Sequence, residues 1–238
     1  ALAKALSRYL ECEGKNRVWT IFEDWKALYG KVADLSATQI GSILKETGFC
    51  YPADASERLS KVLFVLHTYF ALVLKLCACE LVSQTRKVGY AEFAQRALSL
   101  DDAGLLELLA TDMEGGALFK RAGIHGFCEG RFFAWYLDVL RDNRTNSPGR
   151  DLACALRGLL HSLALYRMDD LAKARERDVL KSFYENIVPG ALRKSLGEFY
   201  TPDWLVEVVL DKLKGDISGL RFLDPTCGSG SFLLAITR

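Results

Sequence analysis

Residues 62–79, VLFVLHTYFALVLKLCAC, form the longest apolar run in the chain. A run of this length approaches a membrane span. His67 and Lys75 interrupt it, and ionisable groups are costly at bilayer depth. The run therefore predicts a long helix buried in a protein core, with Ser56 as its N-cap candidate. No secretory signal pattern is visible, so the expectation is a cytoplasmic protein that makes no use of a membrane.

A core helix of that length needs cover, and the rest of residues 1–185 reads as further helices. LSRYLECEGKNRVWTIFEDWKALYG gives two amphipathic segments joined near Gly14. Residues 35–48 end on Gly48, a helix stop. SLDDAGLLELLATDMEGG opens with capping acids and breaks at Gly115 and Gly116. RFFAWYLDVL is apolar at helical spacing. RDNRTNSPGRD, residues 141–151, is the clearest loop. A long helical pattern follows, bent around Met168–Asp170 and ended by Pro189 and Gly190. No alternating run argues for a sheet here.

Half the residues are hydrophobic and 26% are charged, which fits a folded soluble chain. With 31 basic and 30 acidic residues, any basic surface must be local. The seven cysteines include no C-x-x-C pair, and the three histidines show no ligand spacing to them. The expectation is reduced thiols and no metal site.

The texture changes over residues 186–238. TPDWLVEVVLDKL predicts a helix of about three turns, with Thr201 as N-cap and Pro202 as its first residue. Leu205, Val208, Val209 and Leu213 make its apolar face. GDISG is a turn, LRFLDP a short strand, and GSGSFLLAITR the start of another helix. Helix, strand, glycine turn, helix is the opening of an α/β domain. The fold class expected is mainly α: an all-helical region over 1–185, then the first helix–strand–turn of a Rossmann-like domain.

The turn DPTCGSGSF can serve four chemistries. A phosphate-binding loop needs G-x-x-x-x-G-K-[ST], and this turn has no lysine. A dinucleotide site needs a third glycine, but Phe232 and Leu233 follow Gly230. A structural turn alone does not require Asp-Pro at the strand end. S-adenosylmethionine fits better. An acid at the carboxyl end of a strand, Asp224, receives its ammonium. Gly228 and Gly230 let the backbone come close, and a helix start suits its carboxylate.

GEFYTP, followed one helix later by DPTCGSGSF, resembles the paired cofactor motifs of N6-adenine-specific DNA methyltransferases. Cytosine-C5 methyltransferases carry a phenylalanine-glycine version of the glycine motif instead. The resemblance is strong over Leu196–Leu234. It reaches more weakly into YENIVPGALRKSLGEFYTPDWL and HGFCEGRFFAWYLDVL, which are similar to the helical region of large restriction and phage-defence methylases. It implies S-adenosylmethionine as cofactor, with Tyr200, Thr201 and Pro202 at its methionine end. It places Asp224 at the ammonium, and Pro225, Cys227, Gly228 and Gly230 around it.

The same resemblance implies an Asn/Asp/Ser-Pro-Pro-aromatic motif that holds a flipped adenine. The five prolines, at 52, 148, 189, 202 and 225, include no adjacent pair. No catalytic residue is therefore nominated. The expectation is the N-terminal part of an adenine-N6 DNA methyltransferase from a restriction or phage-defence system, inactive by itself. Double-stranded DNA, and a restriction or specificity subunit, are its expected partners. The Glu13-Gly14-Lys15 and Asp24-Trp25-Lys26 triplets lie in helical segments and do not argue for a nuclease. Arginines cluster around the 141–151 loop, with Arg144 and Arg150 as candidate phosphate contacts among neighbouring acids. The alternative reading is a non-catalytic helical scaffold for docking a partner subunit or DNA.

Overall fold

A computed structural model of the chain describes residues 1–12, 17–29, 45, 56–87, 89, 91–127, 132–142, 147–168, 179–188, 190, 193–194, 199–213 and 218–237. It divides into two compact units, Ala1–Asp34 with Tyr51–Arg175, and Leu35–Cys50 with Glu176–Arg238. The described residues are mainly helical and contain no strand. The joint at Gly14, the helix end at Gly48 and most of the Met168–Asp170 bend lie outside them.

In the first unit, α1 is Leu2–Cys12, α2 is Arg17–Tyr29 and α3 is Ser56–Arg86. The apolar run is helical throughout. By length and composition α3 could cross a membrane, but 72% of its most apolar window is buried against the rest of the chain. Ser56 is the first residue of the helix range, and its side chain lies outside what the structure describes. The aromatic rings of α2 close over α3. Phe22 and Trp25 lie 5.5 and 5.6 Å from the Phe64 ring, and Trp135 stacks on Phe64 at 5.3 Å. The indole N–H of Trp135 donates to Thr68 Oγ1 at 2.7 Å, and Thr68 returns its own proton to the Phe64 carbonyl. A buried aromatic with a polar end is satisfied in this way.

The two polar interruptions of the run have separate solutions. Lys75 Nζ meets Glu114 Oε2 at 2.7 Å, and the Tyr136 hydroxyl donates to the other oxygen of Glu114. His67 packs edge-on against Trp25 and Phe133. Burial lowers its pKa to about 4, so it stays neutral.

The other helices described in this unit are α4 (Phe93–Leu98), α5 (Asp102–Leu108), α6 (Ala117–Arg121), α7 (Tyr136–Leu140) and α8 (Pro148–Leu163). Asp101 caps α5 by accepting from Gly104 N, as the acidic start predicts. After α5 the chain widens into an underwound π-helical turn, Leu109–Glu114, which buries Asp112, Met113 and Glu114. Gly115 ends that turn, and Gly116 (φ 70°) is the N-cap of α6. RFFAWYLDVL is helical only from Tyr136, and the predicted 141–151 loop already contains the start of α8. Ser147 caps α8 and Pro148 is its first residue, a pairing that favours helix initiation. Gly149 allows a close crossing: a Cβ there would collide with the carbonyls of Val139 and Asp142. Helix α8 packs on α1, α4 and α7, and α1 also packs on α3.

In the second unit, α9 is Val179–Ile187, α10 is Asp203–Leu210 and α11 is Ser231–Ile236. Helix α9 stops before Pro189, as the sequence predicts. Two features of the 201–213 reading are corrected. Pro202, not Thr201, is the N-cap of α10, because Pro202 has extended ψ (142°). The apolar face is also misassigned. Leu205, Val208, Val209 and Leu213 are 36%, 49%, 46% and 43% exposed, while Val206 is 2% exposed and is the buried residue of α10. The predicted LRFLDP strand is not formed. Its residues 220–224 run without a ladder partner among the described residues, and a strand is defined by that pairing.

Candidate functional site

In the second unit α10, which follows Tyr200-Thr201-Pro202, packs against α11, which follows the glycine turn. Pro202 starts α10 by offering its carbonyl to Leu205 N (3.0 Å) and Val206 N (3.2 Å). Its ring supplies the φ that position needs (−61°). Tyr200 and Thr201 are half-buried just ahead of it.

On the other side, Asp224 Oδ1 accepts the N–H of Thr226 at 3.1 Å across Pro225. This Asx turn bends the chain back and fixes the carboxylate. Oδ2 accepts no hydrogen bond among the described residues. The turn then closes with Gly230 N donating to Cys227 O at 2.7 Å. Gly228 (φ 53°) and Gly230 (φ 89°) are both left-handed. A Cβ at either position would meet nothing within 4 Å, so conformation and not crowding demands glycine. Gly230 caps α11 without a side chain, which leaves the first amides of α11 without an intrahelical acceptor. Pro225 and Cys227 are exposed, and the Cys227 thiol points at the Gly228 carbonyl, 3.8 Å away.

This donor set discriminates among small ligands. One carboxylate with an unengaged oxygen suits an ammonium. Open backbone suits a flat or slender group laid against it. With no lysine or arginine in the turn, it offers a phosphate no counter-charge. The residues present therefore fit the amino-acid end of S-adenosylmethionine better than a nucleotide phosphate.

Two site residues were not visible in the sequence. Lys181 of α9 donates to the Thr201 carbonyl at 2.9 Å and to Asp203 Oδ1 at 3.0 Å. One turn on, Tyr184 sits edge-on to Tyr200, 5.6 Å between rings at 83°. A Lys and a Tyr three apart on one helix face were the only local signal.

The candidate nucleic-acid residues belong to the first unit. Arg144 lies outside the described residues. Arg150 is exposed at the start of α8, its backbone N–H held by Ser147 Oγ at 3.3 Å. Around them Arg141 is paired with Asp138, and Arg157 bonds Asp102 and the Leu100 carbonyl. Much of the local positive charge is thus spent within the protein. Among the described residues no cluster of His, Cys, Asp and Glu could hold a metal ion. Cys77, Cys79, Cys154 and Cys227 are free thiols.

Residues 175–238 match the family model described as N-6 DNA Methylase. A segment of 55 residues is 38% identical to the Type II methyltransferase M.VspI of Vibrio sp. (strain 343). That match covers 23% of this chain and 14% of the relative, so the chain spans a small part of the protein it resembles. No solved structure matches the chain significantly.

Proposed function

Since residues 175–238 belong to the N-6 DNA methylase family, we propose that the second unit binds S-adenosylmethionine and that the chain serves an adenine-N6 DNA methyltransferase. The observation that supports this reading is the packing of α10, which follows Tyr200-Thr201-Pro202, on α11, which follows the Asp224–Gly230 turn. Asp224 would receive the ammonium through its unengaged Oδ2. Gly228 and Gly230 would pass under the ligand, and the first amides of α11 would take its carboxylate. Tyr200 and Thr201 would close over the methionine end. The cofactor supplies an electrophilic methyl group for an exocyclic amine.

The 238 residues contain no adjacent prolines, so residues that would hold a flipped adenine are not among them. Methyl transfer to DNA by this chain alone is therefore not expected. The first unit carries none of the cofactor motif. Its own closed core fits a scaffold that positions double-stranded DNA or a partner subunit within a restriction or phage-defence enzyme.

Calorimetric titration of the intact protein with S-adenosylmethionine tests the reading. Asp224→Ala should abolish measurable binding. Wild-type affinity in that variant would refute the ammonium site and, with it, the assignment of the turn.

A further inference from the structure

We propose that Lys181 and Tyr184 of α9 are positioning residues for the cofactor motif, holding Tyr200 and Thr201 in the conformation that meets the ligand. The inference rests on the reading of the second unit as a cofactor site and adds to it a part outside both motifs.

The physical case starts from an orphan. Thr201 lies ahead of the N-cap Pro202, so its carbonyl is outside the hydrogen-bond ladder of α10. Such a carbonyl turns freely unless something bonds it, and turning it rotates the neighbouring peptide planes. Lys181 Nζ takes it at 2.9 Å. The lysine is drawn in to do so: its side chain is 12% exposed, against 69% for Asp203, its second partner. A lysine gives up rotamer freedom and hydration when held in this way, and the bond from a charged donor must offset both.

Tyr184, three residues on, fixes the side chain where Lys181 fixes the main chain. Its ring meets Tyr200 in the edge-to-face arrangement that aromatic pairs prefer. Two successive turns of α9 therefore grip two successive residues of the motif. The grip has a firm base. Arg193 Nε donates to the Val188 carbonyl at the end of α9, and its guanidinium lies 3.8 Å from Glu185. A binding segment pre-set in this manner loses less freedom when the ligand arrives.

The test is calorimetry of the intact protein with S-adenosylmethionine, reading affinity and number of sites separately. Lys181→Met should raise Kd about tenfold with the number of sites unchanged, as expected for loss of a charge-assisted hydrogen bond. Lys181→Arg, which can still donate to the carbonyl, should recover most of the affinity. Tyr184→Leu should raise Kd about three- to tenfold. A residue that merely stabilises the fold would lower the number of sites and leave Kd alone, so that result in Lys181→Met overturns the inference. Wild-type Kd in both Lys181→Met and Tyr184→Leu, alongside lost binding in Asp224→Ala, would also overturn it while leaving the cofactor site standing. Unchanged binding in Asp224→Ala would remove the site itself.

Discussion

Glu80 Oε2 accepts the backbone N–H of Ala94 at 2.7 Å, from one helix to the first turn of another. Ser83 Oγ accepts the N–H of Phe93 beside it at 3.0 Å. Helix α4 has no cap from its own Glu92. Its first amides are instead satisfied by α3, which fixes where the 93–98 segment docks. Glu80 is fully buried, and its other oxygen accepts from Gln84 Nε2 at 2.8 Å.

Removing that carboxylate strands a buried amide. Glu80→Leu should cost about 2–4 kcal/mol, with Glu80→Gln costing less because its carbonyl can still accept. Urea unfolding at neutral pH measures both. Burial, reinforced by nearby Glu92, raises the pKa of Glu80, while the Ala94 and Gln84 hydrogen bonds oppose the rise. A raised acid pKa favours the folded state at low pH. That contribution fades as pH climbs through the raised value. Glu80→Gln should remove this component, and a variant with the wild-type pH profile would show that Glu80 does not titrate there.

His67 works in the opposite direction. Its Nε2 is buried with no hydrogen-bond partner among the described residues, and burial lowers its pKa from 6.5 to about 4. The unfolded chain takes up a proton below pH 6.5 that the folded chain refuses until about pH 4. Stability present above pH 6.5 is therefore lost across that window, by about 3 kcal/mol at its acid end. His67→Phe should flatten the acid limb of a stability–pH curve measured between pH 7 and 4. An equally steep limb in the variant would assign the acid sensitivity to other groups.

Much of this was legible in advance where the signal is local. The 62–79 run reads as a core helix because His67 and Lys75 interrupt it, and most of its apolar window is buried within the chain. Asp101 is a helix start on chemistry alone, whereas the Ser147-Pro148 start of α8 lies inside the predicted 141–151 loop; Asp224 and the glycines of the turn announced themselves by residue type. Periodicity shows that α10 has an apolar side but not which stretch of it a neighbour covers, so Val206 was missed in favour of Leu205 and Val208. The 220–224 strand failed for a related reason: a strand belongs to a sheet, and pairing is not encoded in the segment itself. Lys181 and Tyr184 were invisible because their partners lie beyond a stretch of chain no local pattern spans. The π-helical turn at Leu109–Glu114 has no sequence signature that we can give.

The glycine turn makes a sharper prediction about conformation. Gly230→Ala places a side chain at φ 89° with open space around it, so strain acts alone. The cost should be about 1–2 kcal/mol. That strain should either shift the turn or weaken ligand binding by about tenfold. Gly149→Ala offers the contrast: its φ is ordinary and its cost comes from collision with the carbonyls of Val139 and Asp142. Thermal melts of the two variants should show a large loss for Gly149→Ala, with S-adenosylmethionine affinity reduced only in Gly230→Ala. Full affinity in Gly230→Ala would mean that the turn can be rebuilt without its left-handed residue.

Lys75 and Glu114 form the most telling pair for the core. The Glu114 side chain is 2% exposed and the Lys75 side chain 17%, with Tyr136 completing the contact. Taking both charges out of water is expensive, and the pair together repays little of it. Breaking the pair is another matter. Lys75→Leu leaves Glu114 in a dry site without its cationic partner and with one neutral donor, at a cost of about 3–5 kcal/mol. It also makes the 62–79 run more apolar, so hydrophobicity alone would predict a gain. Adding Glu114→Met should then restore part of the loss, because no charge is left buried, although the Tyr136 hydroxyl loses its acceptor there. A double-mutant cycle by chemical denaturation reads the coupling directly. If Lys75→Leu is neutral by itself, the pair contributes nothing and the Tyr136 hydroxyl alone holds Glu114. If the single change is costly and the double is not rescued, the charges fix the register between α3 and the π-helical turn rather than merely compensating each other.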